Sequence, residues 1–389
     1  MKKKIIAIVL AIAIVASLCV AFAACNKKTD DFKIGLITLH DENSTYDKNF
    51  IDAMKEAQEH LGLSNDQVII ATGIPEGDEC YQKACELAEA GCKVIIADSF
   101  GHEQYMIKAA KQYPNVQFCH ATGVNAASEN LPNYANAFAS IYEGRYLAGV
   151  AAGLKLQALG KTTAPKIGYV GAYTYAEVIS GYTSFFLGVR SIVPTATMAV
   201  QFTGTWYDET DEKQAANALI AAGCDLISQH ADSMGAPSAC EAAGIPNVSY
   251  NGSTAAACPN TFIVSSRINW APYYEYVVNQ VKAGKAVDKD WVGTIATDSV
   301  QLTALGTAAA DGTQAKLDEV KAKLANGTLQ VFDTSKFTVG GQPCTSLKVN
   351  GVESVKTVNG ITFVAESSLR SAPYFDLGID GIVRLNEKY

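Results

Sequence analysis

Aromatic rings and carboxylates gather in this chain wherever an apolar, strand-like run ends. After the first such run come Asn43, Tyr46 and Asp47, and after a later one Asp98, Ser99 and Phe100. Further on, the ends carry Tyr173 and Tyr175, then Trp206 and Asp208, His230 and Asp232, Asn251 and Ser253, and finally Asn269, Trp270 and Tyr273. Flat rings with a few convergent carboxylates and amides grip a planar polar ligand: rings cover its faces, and carboxylates accept from its N–H or hydroxyl groups. Covalent chemistry is poorly represented. The histidines His40, His60, His102, His120 and His230 are scattered without metal-ligand spacing, and only His40 and His230 fall at strand ends facing a cleft. No glycine-rich phosphate loop follows the first strand, and there is no Gly-x-Ser-x-Gly elbow or His-Glu-x-x-His pair. No metal or cofactor is expected.

The elements that must hold these residues follow an α/β rhythm. Lys33–Leu39, Gln67–Ala71, Lys93–Ala97, Val116–His120 and Asn133–Phe138 read as short buried strands. Amphipathic helical stretches at Asp47–Leu61, Glu79–Ala90 and Gly101–Gln112 separate them. After the helix Ile141–Leu159 and a polar break at 161–165, the alternation restarts: strands Lys166–Val170, Thr197–Phe202, Leu226–Gln229, Asn247–Tyr250 and Thr261–Ser266, and helices Ala176–Val189, Thr210–Ala222, Ala236–Ala243 and Tyr273–Ala283. Two parallel α/β units in tandem are expected, with ligand between the carboxyl ends of their strands. The stretch 331–384, rich in Thr, Val and Gly, reads as a small β-rich appendage packed on one lobe.

The first thirty residues set the compartment. Lys2–Lys4, an apolar run to Ala24, and Cys25 directly after two alanines form a secretory signal of the lipoprotein kind, with Cys25 as lipidation site and first mature residue. An uncleaved anchor helix is the alternative, since the run is just long enough to span a bilayer. Of 389 residues, 31 are Lys or Arg and 39 Asp or Glu. An acidic exported body argues against nucleic acid as partner. The eight cysteines beyond Cys25 show no Cys-x-x-Cys pair, and most read as unpaired thiols in small core positions.

Taken together, the motifs resemble those of a known family. These are the lipobox; Asn43 with Tyr46-Asp47; Tyr142-Glu143-Gly144-Arg145-Tyr146-Leu147-Ala148-Gly149; Gly204-Thr205-Trp206-Tyr207-Asp208; Gln229-His230-Ala231-Asp232; Tyr250-Asn251; and Trp270-Ala271-Pro272-Tyr273-Tyr274. Over about residues 33–332 the chain is similar to the basic membrane protein family, substrate-binding lipoproteins of ABC importers related to purine-nucleoside receptors. The resemblance implies a type I periplasmic-binding-protein fold, two Rossmann-like lobes joined by three crossovers. Lobe 1 would comprise 33–138 and 267–290, lobe 2 139–266 and 291–332. Residues 1–24 would be the signal peptide, 25–32 the lipidated tether and 333–389 the appendage. It further implies base stacking by Tyr46 and Trp206 and hydrogen bonding by Asp232, with Asn43, Asp47, Phe100, Asn251, Ser253, Asn269 and Trp270 completing the site. Ser253 and Asn269 stand where relatives carry Asp and Lys. A monomeric, extracytoplasmic receptor at the membrane follows, delivering a purine nucleoside or base to an ABC permease. The alternatives are a sensor lipoprotein of the same fold and a secreted nucleoside-processing enzyme using Asp47 or Asp232.

Overall fold

A computed structural model describes residues 32–389; the signal segment and Cys25 lie outside the described residues. The first unit runs β1 (Lys33–Ile37), α1 (Thr45–Leu61), β2 (Val68–Ala71), α2 (Asp78–Glu89), β3 (Cys92–Ala97), α3 (Glu103–Gln112), β4 (Gln117–Ala121), the single turn α4 (Ala126–Glu129) and β5 (Tyr134–Ala139). Local chemistry fixes the ends. In α1, Ser44 accepts from the Asp47 N–H at the start, and Gly62, at φ 64°, takes the left-handed cap at the end. The helix lays Phe50, Ile51, Met54 and Ala57 on the sheet. The β1 residues Ile34, Leu36 and Ile37 are all buried, as strands covered on both faces require.

The second unit runs α5 (Ile141–Ala158), β6 (Lys166–Gly171), α6 (Ala176–Arg190), β7 (Thr197–Phe202), α7 (Glu209–Ala221), β8 (Leu226–His230), α8 (Gly235–Ala243), β9 (Asn247–Tyr250) and β10 (Phe262–Ile268). Here α5 and α6 touch backbone to backbone. A Cβ on Gly149 would lie 2.0 Å from the Phe185 carbonyl oxygen, and one on Gly188 2.1 Å from that of Tyr146. Only glycine permits that approach.

The chain then returns. After α9 (Ala271–Lys282), β11 (Asp290–Gly293) pairs parallel with β5 of the first sheet. Next β12 (Val300–Leu302) pairs antiparallel with β10 of the second, and α10 (Thr313–Ala325) follows. The first sheet has the order β11-β5-β4-β3-β1-β2. The chain thus passes between the sheets three times, after β5, β10 and β11. This is the two-lobed α/β architecture that the resemblance implies.

The C-terminal stretch departs from the expected appendage. It forms three short hairpins: β13 (Thr338–Val339) with β14 (Gln342–Pro343), β15 (Lys348–Val349) with β16 (Val352–Glu353), and β17 (Val355–Val358) with β18 (Ile361–Val364). Then β19 (Ile382–Arg384) joins β7 in parallel, so the second sheet reads β12-β10-β9-β8-β6-β7-β19. The tail also reaches the other sheet, where the Ser371 N–H donates to Asp290 Oδ2 of β11 at 2.9 Å. It therefore touches both lobes, because its backbone donors find carboxylate and carbonyl partners on each. The described cysteines from Cys80 to Cys344 are unpaired, and all but Cys85 are buried.

Candidate functional site

Between the two lobes lies a narrow slot. Its walls come from the carboxyl ends of strands: Leu39 and His40 after β1, Ser99 and Phe100 after β3, and Thr122 after β4. The other lobe supplies Trp206 after β7, and His230 and Asp232 at the end of β8. The first turns of two helices add Tyr46 and Asp47 from α1 and Glu177 from α6. This is where open α/β sheets place ligands, because loops at strand ends converge there.

The lobes meet around the slot. The Thr45 N–H donates to the Asp232 carbonyl at 3.0 Å, and Asn49 Nδ2 donates to Asn251 Oδ1 at the same distance. Phe100 and Tyr175 bring their rings to 5.3 Å across the divide, and His40 and Tyr207 to 5.4 Å. On the second lobe Trp206 is held edge-on by Tyr173 at 5.0 Å, and Tyr173 in turn stacks on Tyr175. On the first lobe the Tyr46 hydroxyl donates to the Asp98 carbonyl at 2.8 Å. Both rings are thereby held by neighbouring groups of their own lobe.

The carboxylates differ in what they can do. Burial pushes Asp47 up, but hydrogen bonds from His40 and Ser44 outweigh it and hold this group below the ordinary range. The His40 N–H donates to Asp47 Oδ1 at 2.7 Å. Asp98, fully buried, is raised well above that range by burial and then by the Asp47 charge. Asp232 is raised for the same reasons, burial first, then Asp47, Glu212 and Glu177. No described side chain hydrogen-bonds its carboxyl group, which is left for a partner in the slot. His230 Nε2 stands 3.6 Å from Glu177 Oε1, while its Nδ1 has no partner. Burial keeps the ring neutral by lowering its pKa. Behind it, Arg145 is completely buried, donating to the Gln229 carbonyl at 3.0 Å and lying over the Tyr250 ring. Thr122 adopts φ 64°, a left-handed conformation costly for a β-branched residue. Strain of about 1–3 kcal/mol of this sort concentrates at functional sites.

Of the residues singled out from sequence, Tyr46, Asp47, Phe100, Trp206 and Asp232 line the slot together. The others stand elsewhere. Trp270 is buried in the first lobe's core, stacked on Phe50 at 4.4 Å, because α9 packs on α1. Asn269 accepts from the Ala271 N–H at the start of α9 through its Oδ1. Asn251 accepts from Asn49 through Oδ1 while its buried Nδ2 has no partner, and Asn43 and Ser253 are exposed on loop shoulders. Glu177 was missing from the sequence reading. It follows the strand-end pair Tyr173–Tyr175 by two residues, the one signal that could have marked it. His230 was noted at a strand end but given no role.

A slot between two lobes, lined by rings and carboxyl groups, is the arrangement of a solute-binding protein. Residues 34–335 match the family model described as ABC transporter substrate-binding protein PnrA-like, and the chain belongs to this Bmp family, one of binding proteins and not of enzymes. Over 239 residues it is 34% identical to a purine-binding protein of Brucella abortus, covering 61% of this chain and 64% of that one. It is 31% identical over 253 residues to a putative ABC transporter glucose-binding protein of Haloferax volcanii, covering 65% and 62%. The chain thus spans a little under two thirds of each. A solved solute-binding protein of an ABC transporter system from Conexibacter woesei shares the fold, with TM-score 0.64 and 21% identity over 77% of this chain and 98% of that one. Among the described residues, no helix is long and apolar enough to cross a membrane.

Proposed function

We propose that this protein is the extracytoplasmic receptor of an ABC importer, tethered by a lipidated Cys25, and that it captures a purine nucleoside or nucleobase for its permease. The observation that carries the ligand class is the slot itself: Tyr46 on one lobe and Trp206 on the other, with Asp47 and Asp232 at its edge. A flat heterocycle presents two π-faces to such rings and a polar edge to such carboxyl groups, whereas a small sugar or an aliphatic amino acid has no π-face to offer. The 34% identical relative named as a purine-binding protein supports the same reading. Closing the lobes is what brings the two rings onto one ligand. Ligand stabilises that form only through contacts made there. Mass spectrometry of small molecules released by denaturing freshly purified protein tests the proposal. A purine nucleoside or base is expected, and release of a sugar such as glucose would overturn it.

A further inference from the structure

Glu76, in the loop between β2 and α2, does not line the slot, yet its carboxylate reaches the loop that does. That loop joins β3 to α3 and carries Ser99 and Phe100 into the slot wall. A single oxygen of Glu76, Oε1, accepts from the Ser99 hydroxyl at 2.5 Å and from the Gly101 N–H at 2.7 Å. Such bonds to a carboxylate are short and strong, and these two straddle Phe100. Gly101 is what admits the carboxylate: a Cβ there would lie 2.6 Å from Glu76 Cδ and 2.8 Å from its Cβ.

The same loop is anchored from its buried side. The His102 Nε2–H donates to the Ile74 carbonyl at 2.9 Å, and the His120 Nε2–H to the Ser99 carbonyl at 2.6 Å. The Phe100 ring itself is 43% exposed, so little packing holds it. What it meets is Tyr175 of the other lobe, at 5.3 Å. From there a run of rings continues through Tyr173 to Trp206, each step 5.0 Å. Phe100 is thus the first lobe's contribution to an aromatic rim that ends on a slot-lining ring. A ring this exposed keeps its place only where its backbone is fixed, and Glu76 supplies the solvent-side half of that fixing.

Resting on the reading of the slot as the ligand site, we infer that Glu76 is a positioning residue for ligand capture: it clamps the turn at 99–101 so that Phe100 meets Tyr175 when the lobes close. Its effect on binding therefore runs through Phe100. Calorimetric titration with whichever of inosine, adenosine and guanosine binds wild type tests this in a double-mutant cycle. Glu76→Ala is expected to weaken binding about fivefold or more. Glu76→Gln, whose amide oxygen can take both hydrogen bonds, is expected to stay within about twofold of wild type. In a Phe100→Ala background, Glu76→Ala is expected to cost nothing further. Wild-type affinity in Glu76→Ala, or an undiminished loss in the Phe100→Ala background, would overturn the assignment and leave the purine slot standing. Hydrogen exchange over residues 99–102 of the ligand-free protein reads the clamp without a ligand. Exchange there is expected to speed up severalfold in Glu76→Ala and to recover in Glu76→Gln, and equal rates in all three proteins would overturn the clamp. Wild type that binds none of these nucleosides would remove the purine reading instead, and the clamp would then stand or fall on the exchange rates.

Discussion

At the residue scale, the account turns on the two rings and on the Asp232 carboxyl group that lines the slot with them. Stacking of a base on one aromatic ring is worth about 1–3 kcal/mol. Trp206→Ala is therefore expected to weaken purine binding roughly tenfold to a hundredfold, read by calorimetric titration. His230 is a sharper test of the geometry. Its sequence neighbourhood assigned it nothing, yet it lines the slot, with its Nε2 beside Glu177. Loss of one hydrogen bond to a ligand costs about 1 kcal/mol, so His230→Ala should weaken the same ligand about five- to tenfold. Wild-type affinity in both variants would mean that the ligand sits elsewhere. Glu366 gives a test independent of ligand. It is buried within the C-terminal stretch, and burial pushes its pKa up to about 7. The folded state holds this proton over a range where the unfolded chain, near the ordinary 4.5, has already lost it. Stability from this group is present at low pH and is lost as pH rises through the window from about 4.5 to 7. Glu366→Gln removes the dependence. Its melting temperature relative to wild type should be higher at pH 8 than at pH 5, and an unchanged difference would contradict the assignment.

At the element scale, contact between α5 and α6 depends on Gly149 and Gly188 facing opposing backbones. Gly188→Ala must separate the helices, and overpacking of this kind costs about 1–3 kcal/mol. A melting temperature lower by several degrees is expected, against no change if the helices stood apart. The same scale shows what the sequence could and could not disclose. Strands such as β1 and β3 and helices such as α1 were legible, because buried apolar runs and helical spacing are local signals. By contrast β11, β12 and β19, only three or four residues each, owe their existence to partners more than thirty residues away in the chain. No local pattern marks them. Position at a strand end located Tyr46, Trp206 and Asp232, but it says nothing of which way a side chain turns. Trp270 occupies an equivalent position and turns inward onto Phe50. Glu177 carries no such mark, because an acidic residue in a helix's first turn is ordinarily explained by the helix dipole.

At the scale of the whole molecule, two sheets joined by three passages of chain form jaws. The hydrogen bonds from Thr45 to Asp232 and from Asn49 to Asn251 mark where they meet. The tether is tested separately: Cys25→Ser should move the protein from the membrane to the soluble fraction, since stable attachment needs acyl chains. Persistent membrane retention would mean that the leader remains as an anchor helix. The central claim, a purine held between the rings of the two lobes, is tested most directly by titrating wild-type protein with inosine, adenosine, guanosine and glucose in parallel. The account predicts saturable one-to-one binding of at least one purine nucleoside and none of glucose. Binding of glucose with no response to any of the purines would contradict it.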